Sequence, residues 1–169
     1  MLAAARGAEL QGLPSQPWPA GGTLRWSIGS IAMSKSRPIP PVRKFMTAAP
    51  HTIGFDQTMD HAHHLMREYR IRHLPVLRAD RLVGVLSDGD LHLVETLRDV
   101  DPHKVTVEEA MTTDPYTVGP DTAIDEVVAE MARHKYGSVV VVDNGHVVGV
   151  FTTNDACRAF AEMLHTHLV

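Results

Sequence analysis

The chain has 169 residues, a formal net charge of −4 and an apolar fraction of 44%, values for one globular domain or one tightly paired double unit. A mildly acidic balance argues against broad nucleic-acid binding, which wants a basic face, and no run approaches the roughly 18 apolar residues of a membrane-spanning helix. The lone Cys157 excludes an internal disulfide framework and a Cys-rich zinc site, and makes a reducing, cytoplasmic compartment the natural one.

Residues 1–41 differ in kind from the rest. They hold Pro14, Pro17, Pro19, Pro38, Pro40 and Pro41, with Gly21 and Gly22, and read as a disordered leader. The stretch AAARGAELQGLPSQPWPAGG has no uninterrupted apolar core of a signal peptide, and Met33 is a candidate true start of translation. From residue 42 the chain repeats itself. Residues 42–93 align without a gap on 107–158 at a constant offset of 65, with 14 identities in 52 positions. Met46/Met111, Thr47/Thr112, Pro50/Pro115, Gly54/Gly119, Asp56/Asp121, Gly84/Gly149 and Asp90/Asp155 all coincide. Such a period means one supersecondary unit used twice, here 42–100 and 107–169, joined by a short connection near 94–106. Two copies can close on each other as a pseudo-two-fold pair, so function is expected at their seam.

Each copy opens with Met-Thr, a Pro and a short extended piece, 51–53 or 116–118. Asp56 and Asp121 are then expected to cap a helix. Ile124, Val127, Val128 and Met131 fall at helical spacing, matched by Met59, Ala62, His63 and Met66. The runs Leu74–Leu77 and Val139–Val142 read as strands, and Asp143-Asn144-Gly145 as the reversal into a strand over Val147–Phe151. A second helix follows, near Asp88–Leu97 and Asn154–Leu164. The expected fold is α/β (α+β), with the order strand, helix, strand, strand, helix used twice.

The chemistry falls where the last strand of each copy enters that second helix. Ser87-x-x-Asp90 and Thr152-x-x-Asp155 place a hydroxyl and a carboxylate at a helix N-terminus. Backbone N–H groups and the helix dipole favour an anion there, and the hydroxyl adds a donor. A carboxylate one turn in would repel phosphate, but suits a vicinal diol such as a ribose. Phosphate donors, a diol acceptor and apolar walls describe a nucleoside-phosphate pocket. Read alone, either tetrad is a capping box; its recurrence at the equivalent position favours the ligand reading.

These pieces, FMTAAPHTI and AMTTDPYTV, RIRHLPVL and KYGSVVVV, GVLSDGD and GVFTTND, make residues 42–164 resemble a cystathionine β-synthase (CBS) domain pair, or Bateman module, of the small stand-alone bacterial type. The resemblance implies two units packed through their sheets into a flat pseudo-symmetric disc that binds adenosyl ligands, most often AMP, ADP or ATP, in clefts between them. It implies a regulatory sensor acting on a protein partner, and not an enzyme. Carried over residue by residue, one pocket joins Thr152 and Asp155 to Thr52, Ile53, Arg72, His73, Leu74 and Pro75. The other joins Ser87 and Asp90 to Thr117, Val118, Gly137, Ser138 and Val139. Asp155 and Asp90 would hold ribose, Thr152 and Ser87 would touch phosphate, and the strand residues would sandwich adenine. Arg72, His73 and Arg158 add charge to the first pocket, whereas the second has Gly137, Ser138 and Leu93 at the matching positions. The first is therefore expected to take ADP or ATP, and the second a less charged adenosyl ligand or none.

Other signals carry less. His61, His63, His64 and Glu68 lie on one helix and cannot converge on one ion, and no HExxH pattern is present, so no metal is expected. His165 and His167 read as a solvated tail, Cys157 as a small packing residue. The flat module is expected to form a homodimer through the helices Met59–Met66 and Ile124–Met131. The competing function is a ligand-independent dimerisation and docking scaffold.

Overall fold

A computed structural model describes residues 39–97, 101 and 103–167. The expected leader, Met33 included, lies outside them except for its last three residues. Pro40 and Pro41 are held in place: the Pro40 carbonyl accepts the Ile124 N–H at 3.0 Å, and Pro41 bridges Ala123.

The elements give the expected strand, helix, strand, strand, helix order twice, each time preceded by a short helical turn and a further two-residue strand. After a 3-10 turn at Val42–Lys44 come β1 (Thr47–Ala48), β2 (Ile53–Gly54), α1 (Met59–Tyr69), β3 (His73–Arg78), β4 (Arg81–Ser87) and α2 (Asp88–Thr96). The second copy gives α3 (Val107–Ala110), β5 (Thr112–Thr113), β6 (Thr117–Val118), α4 (Ile124–His134), β7 (Ser138–Asp143), β8 (His146–Thr152) and α5 (Thr153–His167). Each β-hairpin turns on two residues with positive φ, Ala79 and Asp80 at 46° and 65°, Asn144 and Gly145 at 48° and 82°, the geometry that follows the right-handed twist of the strands.

Helix capping departs from expectation. Asp56 and Asp121 do not cap. Thr58 caps α1 by accepting the His61 N–H at 3.2 Å, and Ala123 precedes α4 without a side-chain cap. Both aspartates sit two residues too early, in turns closed by Gln57 N–H to Gly54 C=O and Thr122 N–H to Gly119 C=O. Asp121 pairs there with Arg43.

The sheets do not respect the repeat boundaries. One runs β2-β3-β4-β5, the other β1-β8-β7-β6. The opening strand of each copy thus pairs with the last strand of the other: Thr47 and Ala48 lie against Val150 and Gly149, Thr112 and Thr113 against Val85 and Gly84. The Val42 N–H donates to Thr122 C=O at 2.8 Å, and Val107 to Gln57 at the same distance. Val42 is fully buried in the second core and Val107 in the first, each contributing about 1.5–3 kcal/mol by burial. This exchange accounts for two of the repeated identities. A side chain at Gly84 would run into Met111, and one at Gly149 into Met46, so the Met of one copy needs the Gly of the other.

Met59, Ala62 and Met66 face the first core and Ile124, Val127 and Met131 the second. In the two helices expected to form a dimer, these apolar stripes therefore face the interior of the module. The apolar side chains left exposed include Leu93 on α2, Val128 on α4, and Phe160 and Leu164 on α5.

Candidate functional site

Strand β8 delivers Thr152 to the start of α5, and Asp155 follows one turn in. Asp155 is 4% exposed. Its Oδ2 accepts the Thr152 N–H at 2.9 Å and the Thr152 hydroxyl at 2.7 Å, while Oδ1 accepts from Arg158 at 3.0 Å. The capping box thus exists, and it leaves both carboxylate oxygens oriented and the guanidinium of Arg158 drawn toward them. The first copy repeats the motif: Asp90 Oδ2 accepts the Ser87 N–H at 2.8 Å and the Ser87 hydroxyl at 2.7 Å. Leu93 stands where Arg158 would be, so this carboxylate has no arginine beside it.

A cleft of about 400 Å³ opens at the Asp155 box. From the second copy it is lined by Val150, Thr152, Asn154, Asp155 and Arg158. Across from them lie Arg70, Ile71, Arg72 and His73, and the segment Thr47–His51 forms the third wall. Thr152 and Asp155 of one copy and Arg72 and His73 of the other, expected from the family resemblance to share a pocket, all line this cleft. Local structure explains the arginines. Helix α1 ends on Arg70 in the left-handed region, φ 54°, which turns the chain back so that 70–72 run along the cleft mouth before β3 begins. An arginine accepts a conformation there that glycine would take at lower cost.

Other expected residues lie elsewhere. Ile53, Leu74 and Pro75 are buried in the core of the first copy, and Thr52 is half-buried beside Ile53; none of the four lines the cleft. An apolar wall is supplied instead by Pro50 and Ile71, with His51 stacked on Tyr69 at 3.6 Å between centroids. The missed segment lies within the motif FMTAAPHTI itself, immediately before the residues selected. In the second set, Val139 is buried in the core, Val118 packs against it, and Ser138 pairs with Thr152 across β7 and β8. Thr117 is exposed at the start of β6. Gly137 lies against His73, whose Nε2 would be 3.2 Å from a Cβ added there.

Arg70, Arg72 and Arg158 line the cleft together with the single buried carboxylate of Asp155, so it favours an anion. The pKa of His73 is lowered, first by burial and then by the adjacent Arg72, against the raising influence of Asp90 and Asp88. The imidazole is therefore neutral at neutral pH. Elsewhere, Asp60, His63, His64, Arg67 and Glu68 line a shallow depression on α1. His63 is engaged by Glu95 at 2.8 Å, and among the described residues no three His, Cys, Asp or Glu side chains are grouped to hold a metal ion. Cys157 is exposed, and so does not have the packing role expected for it. No helix among the described residues is long and apolar enough to cross a membrane.

The model of the CBS domain family matches residues 42–94 and 107–162. Hypoxic response protein 1 of Mycobacterium tuberculosis is 31% identical over 121 residues, 71% of this chain and 85% of that protein. An inosine-5′-monophosphate dehydrogenase of Korarchaeum cryptofilum is 33% identical over 105 residues, 62% of this chain but only 21% of the enzyme. Among solved structures, the CBS domain pair of protein MJ0100 in complex with 5′-methylthioadenosine and S-adenosyl-L-methionine superposes with a TM-score of 0.67, at 27% identity over 75% of this chain and 99% of that one. CBSX2 in complex with AMP gives 0.64, at 27% identity over 73% and 98%.

Proposed function

The chain belongs to the CBS domain family, and from that premise we propose that it is a regulatory module, not an enzyme, that binds an adenine nucleotide between its two copies and passes the occupancy to a protein partner by a change of shape. The observation carrying this reading is the cleft in which Arg70 and Arg72 of one copy face Thr152, Asp155 and Arg158 of the other. Arginine supplies both charge and paired donors for phosphate, and solved structures of the same fold hold AMP, or 5′-methylthioadenosine with S-adenosyl-L-methionine. Asp155 is the ribose acceptor in this reading. Its bond to Arg158 is on the surface side and readily exchanged, since Arg158 is 67% exposed. Thr152 and the N-terminus of α5 meet the phosphate. Adenine rests on Pro50, His51 and Ile71 rather than on the buried Ile53, Leu74 and Pro75.

The Asp155 cleft takes ADP or ATP. The Asp90 cleft, formed by Ser87, Asp90, Thr117, Gly137 and Ser138, takes a less charged adenosyl ligand or stays empty. The module works in the cytoplasm as a homodimer, through the exposed apolar face of α5 at Phe160 and Leu164. The leader precedes two units, 42–100 and 107–169.

The test is a thermal-denaturation series of the full chain with AMP, ADP, ATP, NAD and S-adenosylmethionine, paired with light scattering. Stabilisation by an adenine nucleotide at micromolar concentration is expected. No stabilisation by any of them, with a dimer still present, would replace the sensor by a ligand-independent scaffold.

A further inference from the structure

The Asp155 cleft and the equivalent site at Asp90 are related by backbone pairing and not only by alignment. His73 pairs with Ser87 as Ser138 pairs with Thr152. The Asp88 N–H donates to Arg72 C=O as the Thr153 N–H donates to Gly137 C=O. Positions can therefore be exchanged one for one between the clefts, and their charges differ sharply. Arg72 becomes Gly137, Arg158 becomes Leu93, Ala49 becomes Asp114, and Arg70 becomes Lys135. Three arginines around one aspartate are thus replaced by one lysine beside Asp88, Asp90 and Asp114.

Where Arg72 would have its counterpart, Gly137 leaves room, and the ring of His73 fills it. His73 also lines the first cleft, so one imidazole stands between the two. Building on the reading of both clefts as adenosyl sites, we propose that the second cleft is selective for an adenosyl ligand without net negative charge, and that His73, reaching into the space left by Gly137, sets this selectivity.

A phosphate in the second cleft would face Asp88 and Asp90 without counterparts of Arg72 and Arg158, whose positions are Gly137 and Leu93, and like charges at close range are costly. A thioether or sulfonium group meets no such penalty. The charged groups acting on the imidazole are the adjacent Arg72 and, on α2, Asp90 and Asp88, while Asp155 and Arg158 line the same first cleft; Gly137 and Ser138 bring no charge. His92 is exposed beside Asp88 at 3.7 Å. A neutral His73 leaves the carboxylates uncompensated. Protonated, it pairs with them, and the selectivity against anions weakens.

Calorimetry on the full chain with 5′-methylthioadenosine, which is neutral, and AMP tests this. Near pH 8 the neutral ligand should lose at least about tenfold in affinity in Asp90→Asn and little in Asp155→Asn, and AMP the reverse. Asparagine keeps an oxygen for each capping box. Lowering the pH to about 5.5 should narrow the preference of the second cleft more in the wild type than in His73→Gln, in which only the protonation of the AMP phosphate contributes. Leu93→Arg, which would set an arginine one turn after Asp90 as Arg158 follows Asp155, should raise AMP affinity there about tenfold. AMP binding the Asp90 cleft as tightly as the neutral ligand, equal pH dependence with and without His73, or an inert Leu93→Arg would each overturn the proposal. Both ligands confined to the Asp155 cleft would overturn it while leaving the sensor intact. Binding of neither ligand anywhere would remove the sensor itself.

Discussion

Replacing Asp155 separates its structural from its ligand-binding contribution. In Asp155→Ala the Thr152 N–H and hydroxyl lose their acceptor inside a site where Asp155 is 4% exposed. Loss of such a cap costs about 1–2 kcal/mol. The Arg158 contact adds little, since an ion pair with one partner largely in solvent contributes about 0–1 kcal/mol. For a folded body of this size about 3–5 °C of Tm is lost per kcal/mol, so a drop of roughly 3–10 °C is expected. Asp155→Asn keeps an oxygen for Thr152 and should cost less than about 0.5 kcal/mol. A carboxylate accepting from a ribose diol contributes about 1.5–3 kcal/mol, so both variants should lose roughly 10- to 150-fold in nucleotide affinity. Differential scanning calorimetry and titration calorimetry on the same samples read the two effects separately. Unchanged affinity in both folded variants would reduce Asp155 to a helix cap, and an unchanged Tm in the alanine variant would refute the capping geometry.

Arg72→Ala should weaken ATP by about 1.5–3 kcal/mol and adenosine hardly at all; equal losses in titration calorimetry would place Arg72 away from the phosphates. His73 has a lowered pKa in the folded state, so its contribution to stability is present above the ordinary value near 6.5 and is lost as pH falls from there toward the folded-state pKa. Tm should accordingly fall more for the wild type than for His73→Gln between about pH 7.5 and 5.5, and parallel curves would refute it. In Gly84→Ala the new methyl would lie 2.5 Å from Met111 Sδ and 2.9 Å from the Thr112 carbonyl oxygen. Overpacking at this exchanged strand should cost about 1–3 kcal/mol by denaturant unfolding, whereas Gly145→Ala, with open space around it, is penalised only by its φ of 82°.

The repeat, the order of elements and the two Ser/Thr-x-x-Asp boxes were legible in the amino-acid sequence, because each rests on local chemistry. Helical spacing at Ile124, Val127 and Met131, a valine run at 139–142 and Asn144-Gly145 at a hairpin act within a few residues of themselves. The cap of α1 was misplaced by two residues, from Asp56 to Thr58, because both residue types cap and only the turn at Gly54–Gln57 decides between them. What the tertiary structure alone decided was which chain segments meet. Two-residue strands such as Thr47–Ala48 have no local partner, and their pairing with β8 comes from burial of Val42 and from the fit of Met46 over Gly149. Ile53, Leu74 and Pro75 could not be distinguished from cleft residues by sequence, since a strand presents side chains to both its faces and only packing shows which face is closed. The same packing brought Pro50 and His51 to the cleft wall, and set His73 of one copy against Gly137 of the other. Neither residue announces that contact, because the space a glycine leaves is visible only when something else has filled it.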